Sequence, residues 1–182
     1  MNGALFLADV RKRYAESKEQ CDGALAQVPF ERWTHQLDPL SNSIATIMLH
    51  MAGNMLSRWT DFLTTDGEKP GRDRDGEFDN PSALSREQVV ARWEAGWACL
   101  FAAIDGLTPD DLERTVTIRT KPLLVHAALT RQLQHYALHQ GQIVLLAKHL
   151  VGERWNTLSV ARGASKAFNQ QMASGADPHA KA

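Results

Sequence analysis

Cysteine is scarce in this chain. Its 182 residues include two cysteines, Cys21 and Cys99, far apart and with no CxxC pair, which argues against a disulfide framework or a cysteine zinc site. Both read as reduced, buried thiols of a cytoplasmic protein. Long apolar runs are missing as well. None reaches the roughly 18 residues that a membrane-spanning helix needs. The N-terminal ALFLADV is short and follows no basic stretch, so no signal peptide is expected. Nor is one sign of charge in excess. Twenty lysines and arginines against twenty-one acids leave a net charge of −1, which gives no electrostatic reason to expect nucleic acid or a membrane as partner. There is no internal repeat, low-complexity tract, Ser-His-Asp order, phosphate-cradling glycine loop or nucleotide fingerprint. What remains is an ordinary globular composition, 43% hydrophobic and 23% charged, long enough for one domain with a substantial core.

Apolar residues recur at helical spacing in four long segments. Phe6, Val10, Tyr14, Cys21, Leu25 and Val28 form the first stripe, which stops near Pro29. Asn42 or Ser43 can cap the second helix, whose stripe is Ile44, Met48, Met51, Met55 and Phe62. Ser85 with Gln88 three residues on is a capping-box pattern, and Val89, Trp93, Trp97, Leu100 and Ile104 follow it. A fourth helix is expected from near Pro122 to about Val151, before Gly152. The five tryptophans, Trp33, Trp59, Trp93, Trp97 and Trp155, read as core or interface residues.

This pattern predicts an all-α fold, a four-helix bundle with a long polar loop after helix two and a docked C-terminal tail. Residues 1–172 are expected to form the single domain and 173–182 a disordered tail. The loop, 64–84, is too long for a plain bundle connection and so reads as functional or disordered. Its GRDRDGEF core carries both charge signs, which could bind a zwitterion or pair internally. RTVTIRT (114–120) alternates Val116 and Ile118 and predicts a short extended pairing. Trp155, Leu158 and Phe168 are the tail residues available to dock. Gly53, Gly96 and Gly141 interrupt three helices, each costing roughly 1 kcal/mol against alanine, so each predicts a packing reason such as close helix approach.

The stretch HYALHQGQIVLLAKHL, residues 135 to 150, is where chemistry is concentrated. His135 and His139, four residues apart, project from one helix face and can share one cation. Ala128, Leu146 and Leu150 fall in the same arc, so the pair faces the interior. His149 is about 15 Å from His139 along the helix, and His126 points the opposite way. The spacing alone is equally that of two hydrogen-bonded interior histidines. Tyr136 stands where HExxH would need its glutamate, and no paired ExxH motif exists for a di-iron site. A third ligand must come from another helix. LHMAGNMLSRW offers His50, followed by Asn54 and Arg58 at successive turns: a buried polar row in need of partners, or a partly solvated helix edge.

A mid-helix-two histidine, an HxxxH in helix four and this helix order resemble the DinB-like (YfiT-like) superfamily of metal-binding four-helix bundles. SNSIATIMLHMAGNMLSRWTDFLTTDGEKPGRDRDGEF and RQLQHYALHQGQIVLLAKHLVGERWNTLSVARG resemble a small bacterial branch of it, over about residues 38 to 170. The resemblance implies that His50, His135 and His139 are metal ligands; His35, His126 and His179 lie outside the motif. Three neutral imidazoles on a divalent ion, zinc first with nickel, iron or copper as alternatives, leave an open position of the catalytic kind. The resemblance also implies thiol transfer with low-molecular-weight thiols or hydrolysis, and a homodimer, which the surplus apolar residues Leu133, Leu138, Val144 and Leu145 of helix four would suit. A metal- or small-ligand-binding protein without turnover is the alternative. Gln142, one turn beyond His139, could orient a bound ligand. Arg58 could hold an anionic substrate group or pair with Asp75 or Glu77, tying the loop over the site.

Overall fold

The computed structural model describes residues 2–79 and 81–175. The chain is mostly helical: α1 (Gly3–Leu25), α2 (Ile44–Trp59), α3 (Arg86–Asp105), the strands β1 (Thr115–Ile118) and β2 (Lys121–Leu124), α4 (Val125–Val151) and α5 (Ser165–Ala173). The starts of the first three helices follow from side-chain caps. Asn2 accepts from the Ala4 and Leu5 amides, Ser43 from Thr46, and Ser85 and Gln88 form the reciprocal capping box. Each satisfies amides that the first helical turn leaves without a carbonyl.

Helix α2 packs on both α3 and α4, and α1 packs on α4 and α3. The predicted stripes meet in one core, where Tyr14, Cys21, Met51, Met55, Leu100 and Ile143 are fully buried. Trp33, Trp59, Trp93 and Trp97 are buried in it, and Trp155 packs half-buried against it. The α2–α3 contact explains Gly96: a Cβ there would lie 2.8 Å from the Cα of Ala52. Close helix approach does not explain the other two glycines. At Gly53 the Cβ position is taken by the carboxylate of Glu77, and around Gly141 nothing lies within 4 Å.

Helix α4 starts at Val125, three residues later than Pro122 suggested. The intervening chain pairs instead, with Val116 opposite Leu123 and Thr117 opposite Pro122. A two-stranded ribbon has no central strand, so the missing amide of Pro122 costs little. The hairpin turns at Arg119 and Thr120, both left-handed with φ of 53° and 63°. That geometry matches strand twist but suits glycine or asparagine better than a β-branched residue.

Leu158 and Trp155 dock onto the core, and the chain then forms α5, with Phe168 half-buried. This helix was not expected from the sequence. The tail placed at 173–182 lies outside the described residues from 176 on, His179 included. Cys21 is buried as expected, but Cys99 is only half-buried, its thiol 3.5 Å from the Thr60 hydroxyl. Among the described residues no helix is long and apolar enough to cross a membrane.

Candidate metal centre

His50 enters the site from the middle of α2, and His135 and His139 enter from successive turns of α4. One ring nitrogen from each lies within 4.8 Å of the others, and the cluster could hold a metal ion. His135 Nε2 and His139 Nε2 are 3.1 Å apart. For comparison, two imidazoles on one tetrahedral zinc place their nitrogens about 3.4 Å apart, given Zn–N bonds of about 2.1 Å. The three rings stand edge-on to one another, with centroids 4.6 to 5.6 Å apart. His35, His126 and His149 are exposed and are not part of the cluster.

Hydrogen bonding fixes which nitrogens face inward. His50 Nδ1 is 2.9 Å from Glu77 Oε2. An ionised carboxylate only accepts, so Nδ1 carries the hydrogen and, in the neutral ring, Nε2 is the atom that offers a lone pair. His139 Nδ1 lies 2.8 Å from Gln142 Oε1 and donates there, which again frees Nε2. Among the described residues His135 has no such outer partner, and its Nδ1 is buried without a hydrogen bond. Burial, reinforced by the charges of His139, His50, Arg131 and Arg58, pushes the His135 pKa down to about 3. Burial also lowers that of His139, against an opposing hydrogen bond from Gln142. Both rings are therefore neutral at physiological pH, the form that binds a cation.

Glu77 was not expected as the partner of His50; its charge suggested an ion pair with Arg58. It arrives on the 64–84 loop, in a 3-10 turn at Gly76–Phe78. There Arg72 donates to both its oxygens at 2.7 Å, while His50 donates to one. Burial pushes this carboxyl up, but the hydrogen bonds from His50 and Arg72, with the Arg72 charge, outweigh it and hold it below its ordinary value. Phe78 lies over the His50 ring at 4.7 Å, and the Arg74 guanidinium lies over Phe78 at 5.2 Å. The only sequence cue to this arrangement was the density of charge in GRDRDGEF.

The polar row below His50 is buried, not a solvated edge: His50, Asn54 and Arg58 are 5 to 6% exposed. Among the described residues Asn54 makes no side-chain hydrogen bond to the histidines. Its Oδ1 accepts from Gln132 Nε2 at 2.6 Å and from the Tyr136 hydroxyl at 3.0 Å, which ties α2 to α4 beside His135. Arg58 pairs with Glu68 at 3.0 Å and donates to the Gly67 carbonyl, so neither Asp75 nor Glu77 is its partner. Asp75 stands in solvent, its side chain 98% exposed, and meets Arg74. The loop does reach the histidines, but through Glu77 and Phe78. A cavity of about 600 Å³ opens beside His50 and His135, with Asn54, Arg58 and Gln132 in its wall.

A helical protein with three converging histidines and a polar cavity beside them is the class that fold and site define. From residue 2 to 164 the chain matches the family described as Protein of unknown function (DUF1572), and it belongs to that family. No curated protein matches it.

Proposed function

We propose that this chain is a metal-dependent enzyme of the DinB-like (YfiT-like) superfamily, a four-helix bundle in which His50, His135 and His139 hold one divalent ion. Zinc suits three imidazoles best, with nickel or iron as alternatives. The reaction class is thiol S-transfer or hydrolysis. The observation that carries this reading is the convergence of three histidine nitrogens within 4.8 Å at the edge of a cavity. When bound, such an ion offers an open position where a water or thiol loses its proton near neutral pH. The protein's own part is to hold the Nδ1 hydrogens of His50 and His139 outward, on Glu77 and Gln142, and to keep His135 neutral by burial.

Protein purified without an affinity tag should carry about one divalent ion per chain by elemental analysis, and His50→Ala or His139→Ala should lose it. Absence of metal after reconstitution would overturn the reading. The metal-loaded protein is then screened with low-molecular-weight thiols and electrophiles. Turnover that stops in His139→Ala supports the enzyme, whereas tight binding without turnover supports a non-catalytic binding protein. A homodimer is part of the same proposal. Leu138 and Leu145, seven residues apart on one face of α4, are 62% and 65% exposed, and a second copy would cover them. A monomer mass by light scattering at micromolar protein would remove this element alone.

A further inference from the structure

Five guanidinium groups, those of Arg58, Arg72, Arg74, Arg119 and Arg131, line the cavity beside the histidines. The whole chain has a net charge of −1, so this concentration is not a matter of composition. Three carboxylates partner the arginines. Glu68 meets Arg119 at 2.8 Å, Arg58 at 3.0 Å and Arg72 at 3.7 Å. Glu77 takes Arg72, and the solvent-exposed Asp75 meets Arg74 at 3.4 Å. Among the described residues no carboxylate reaches Arg131, whose Nη1 donates to the Gln132 side chain at 3.1 Å. Counting side-chain ion pairs alone, five cations against three anions leave two positive charges, with Asp66 spent on the backbone amides of Arg119 and Thr120. Among the described residues Leu138 is the sole aliphatic one in the wall.

We propose that this cavity binds a small dianion, a dicarboxylate or a phosphate monoester, held through Arg74 and Arg131. A planar guanidinium matches both groups, since each offers two oxygens to its paired donors. Arg58 and Arg72 are largely spent on the loop: each side chain is 5% exposed and ion-paired, although Arg58 Nε is buried without a hydrogen-bond partner, and they contribute a fixed positive field. Arg74 and Arg131 keep donors for a ligand and also flank the histidines. Arg74 is stacked in line with His50 through Phe78. Arg131 stands one turn before His135 on α4, on the same side of the helix. A dianion between them would neutralise the two excess charges and lie next to the histidine cluster. This rests on the proposed metal site only for which end of the ligand reacts; the anion binding itself does not need the ion.

The test is calorimetric titration of the metal-loaded protein with succinate and with glycerol phosphate, each against its singly charged or neutral counterpart, butyrate or glycerol. At least one dianion should bind tenfold or more tightly than its counterpart, and which one tells a carboxylate from a phosphate site. Arg74→Gln with Arg131→Gln should weaken that binding by about tenfold or more, because both guanidinium forks that would hold the anion are removed. An unchanged melting transition shows that the double variant is folded. The titration is repeated after metal removal with phenanthroline, a neutral chelator that does not compete for an anion site. Binding that survives metal removal and falls in the double variant supports the proposal, whatever the fate of the metal reading. Equal affinity for dianion and counterpart overturns it. So does binding that vanishes with the metal but ignores both arginines, since the ligand then sits on the ion alone.

Discussion

Replacing Glu77 by alanine should damage stability and metal affinity together. Its carboxylate accepts from Arg72 Nε and Nη2 at 2.7 Å each and from His50 Nδ1 at 2.9 Å. The Arg72, His50 and Glu77 side chains are 5, 7 and 11% exposed. Removing one member of a buried pair strands the other charge, which costs about 3–5 kcal/mol. Arg72 keeps a 3.7 Å contact with Glu68, so the lower end, about 3 kcal/mol, is expected. For a domain of this size each kcal/mol moves the melting midpoint by about 2–4 °C, which gives a fall of about 6–12 °C in apo protein. His50 would also lose the group that fixes its ring and tautomer, and metal affinity in a chelator competition should drop about 10–100-fold. Gly53→Ala supplies a control that leaves the carboxylate chemically intact. Its Cβ would overlap the Glu77 carboxylate, which Arg72 and His50 prevent from moving freely aside. The alanine should therefore weaken metal binding in the same direction. If Glu77→Ala melts within about 2 °C of the parent and binds metal as tightly, the coupling argued here does not exist.

Other outcomes can be stated from single contacts. Gly96→Ala should destabilise by about 1–3 kcal/mol, because its Cβ meets the backbone of Ala52 at 2.8 Å. Gly141→Ala, with nothing within 4 Å, should stabilise α4 by about 0.5–1 kcal/mol; chemical denaturation measures both. Thr120→Gly should gain about 1 kcal/mol by relieving a β-branched residue at φ 63°; no gain in denaturant midpoint would mean the turn is not strained. His135 and His139 both have folded pKa values below the unfolded value of about 6.5. The unfolded chain therefore binds more protons than the folded one below that pH. Apo stability should fall as pH drops from about 6.5 toward the His135 value of about 3, and metal should dissociate in the same window. An apo melting midpoint flat between pH 7 and pH 5 would contradict the neutral, buried state of these rings.

Periodicity and capping were legible because they are local. The starts of α2 and α3 followed from Ser43, Ser85 and Gln88, and the stripes identified the residues that became the core. The start of α4 is not legible in Pro122, which is as compatible with an edge strand as with a first helical turn; the competing hairpin partner lies in β1. Helix α5 has no such cap: Ala164 precedes it with no side-chain hydrogen bond. On the site, helical rotation puts His135 and His139 on one face, and the polar row of α2 pointed to His50. The loop was expected over the site with Asp75 or Glu77 as partner of Arg58, but the Glu77–His50 bond and the places of Arg72 and Arg131 were not assigned, because nothing local says which loop residue meets which side chain or which arginines share a cavity. That is decided by tertiary contacts between residues as distant in sequence as 50 and 77.

Those contacts make the loop a fixed wall rather than a swinging lid. Gly67 is held from both sides, its amide donating 2.8 Å to the Thr117 carbonyl and its carbonyl accepting from Ser57 and Arg58. Asp66 accepts from the Arg119 and Thr120 amides at 2.8 Å each, which locks the loop to the hairpin turn. These bonds, with those from the Glu68 and Thr120 amides foremost, lower the Asp66 pKa to about 2, so the clamp is charged throughout the neutral range. Ten residues on, Glu77 is held by Arg72 and His50. Swinging the segment out would break the buried Arg72–Glu77–His50 set and the Gly67 and Asp66 bonds together, which favours the closed position. A ligand must therefore come in through the mouth of the cavity. The half-exposed Arg74 and Arg119 side chains stand in that wall, and their charge would favour the approach of anions before any contact with the histidines.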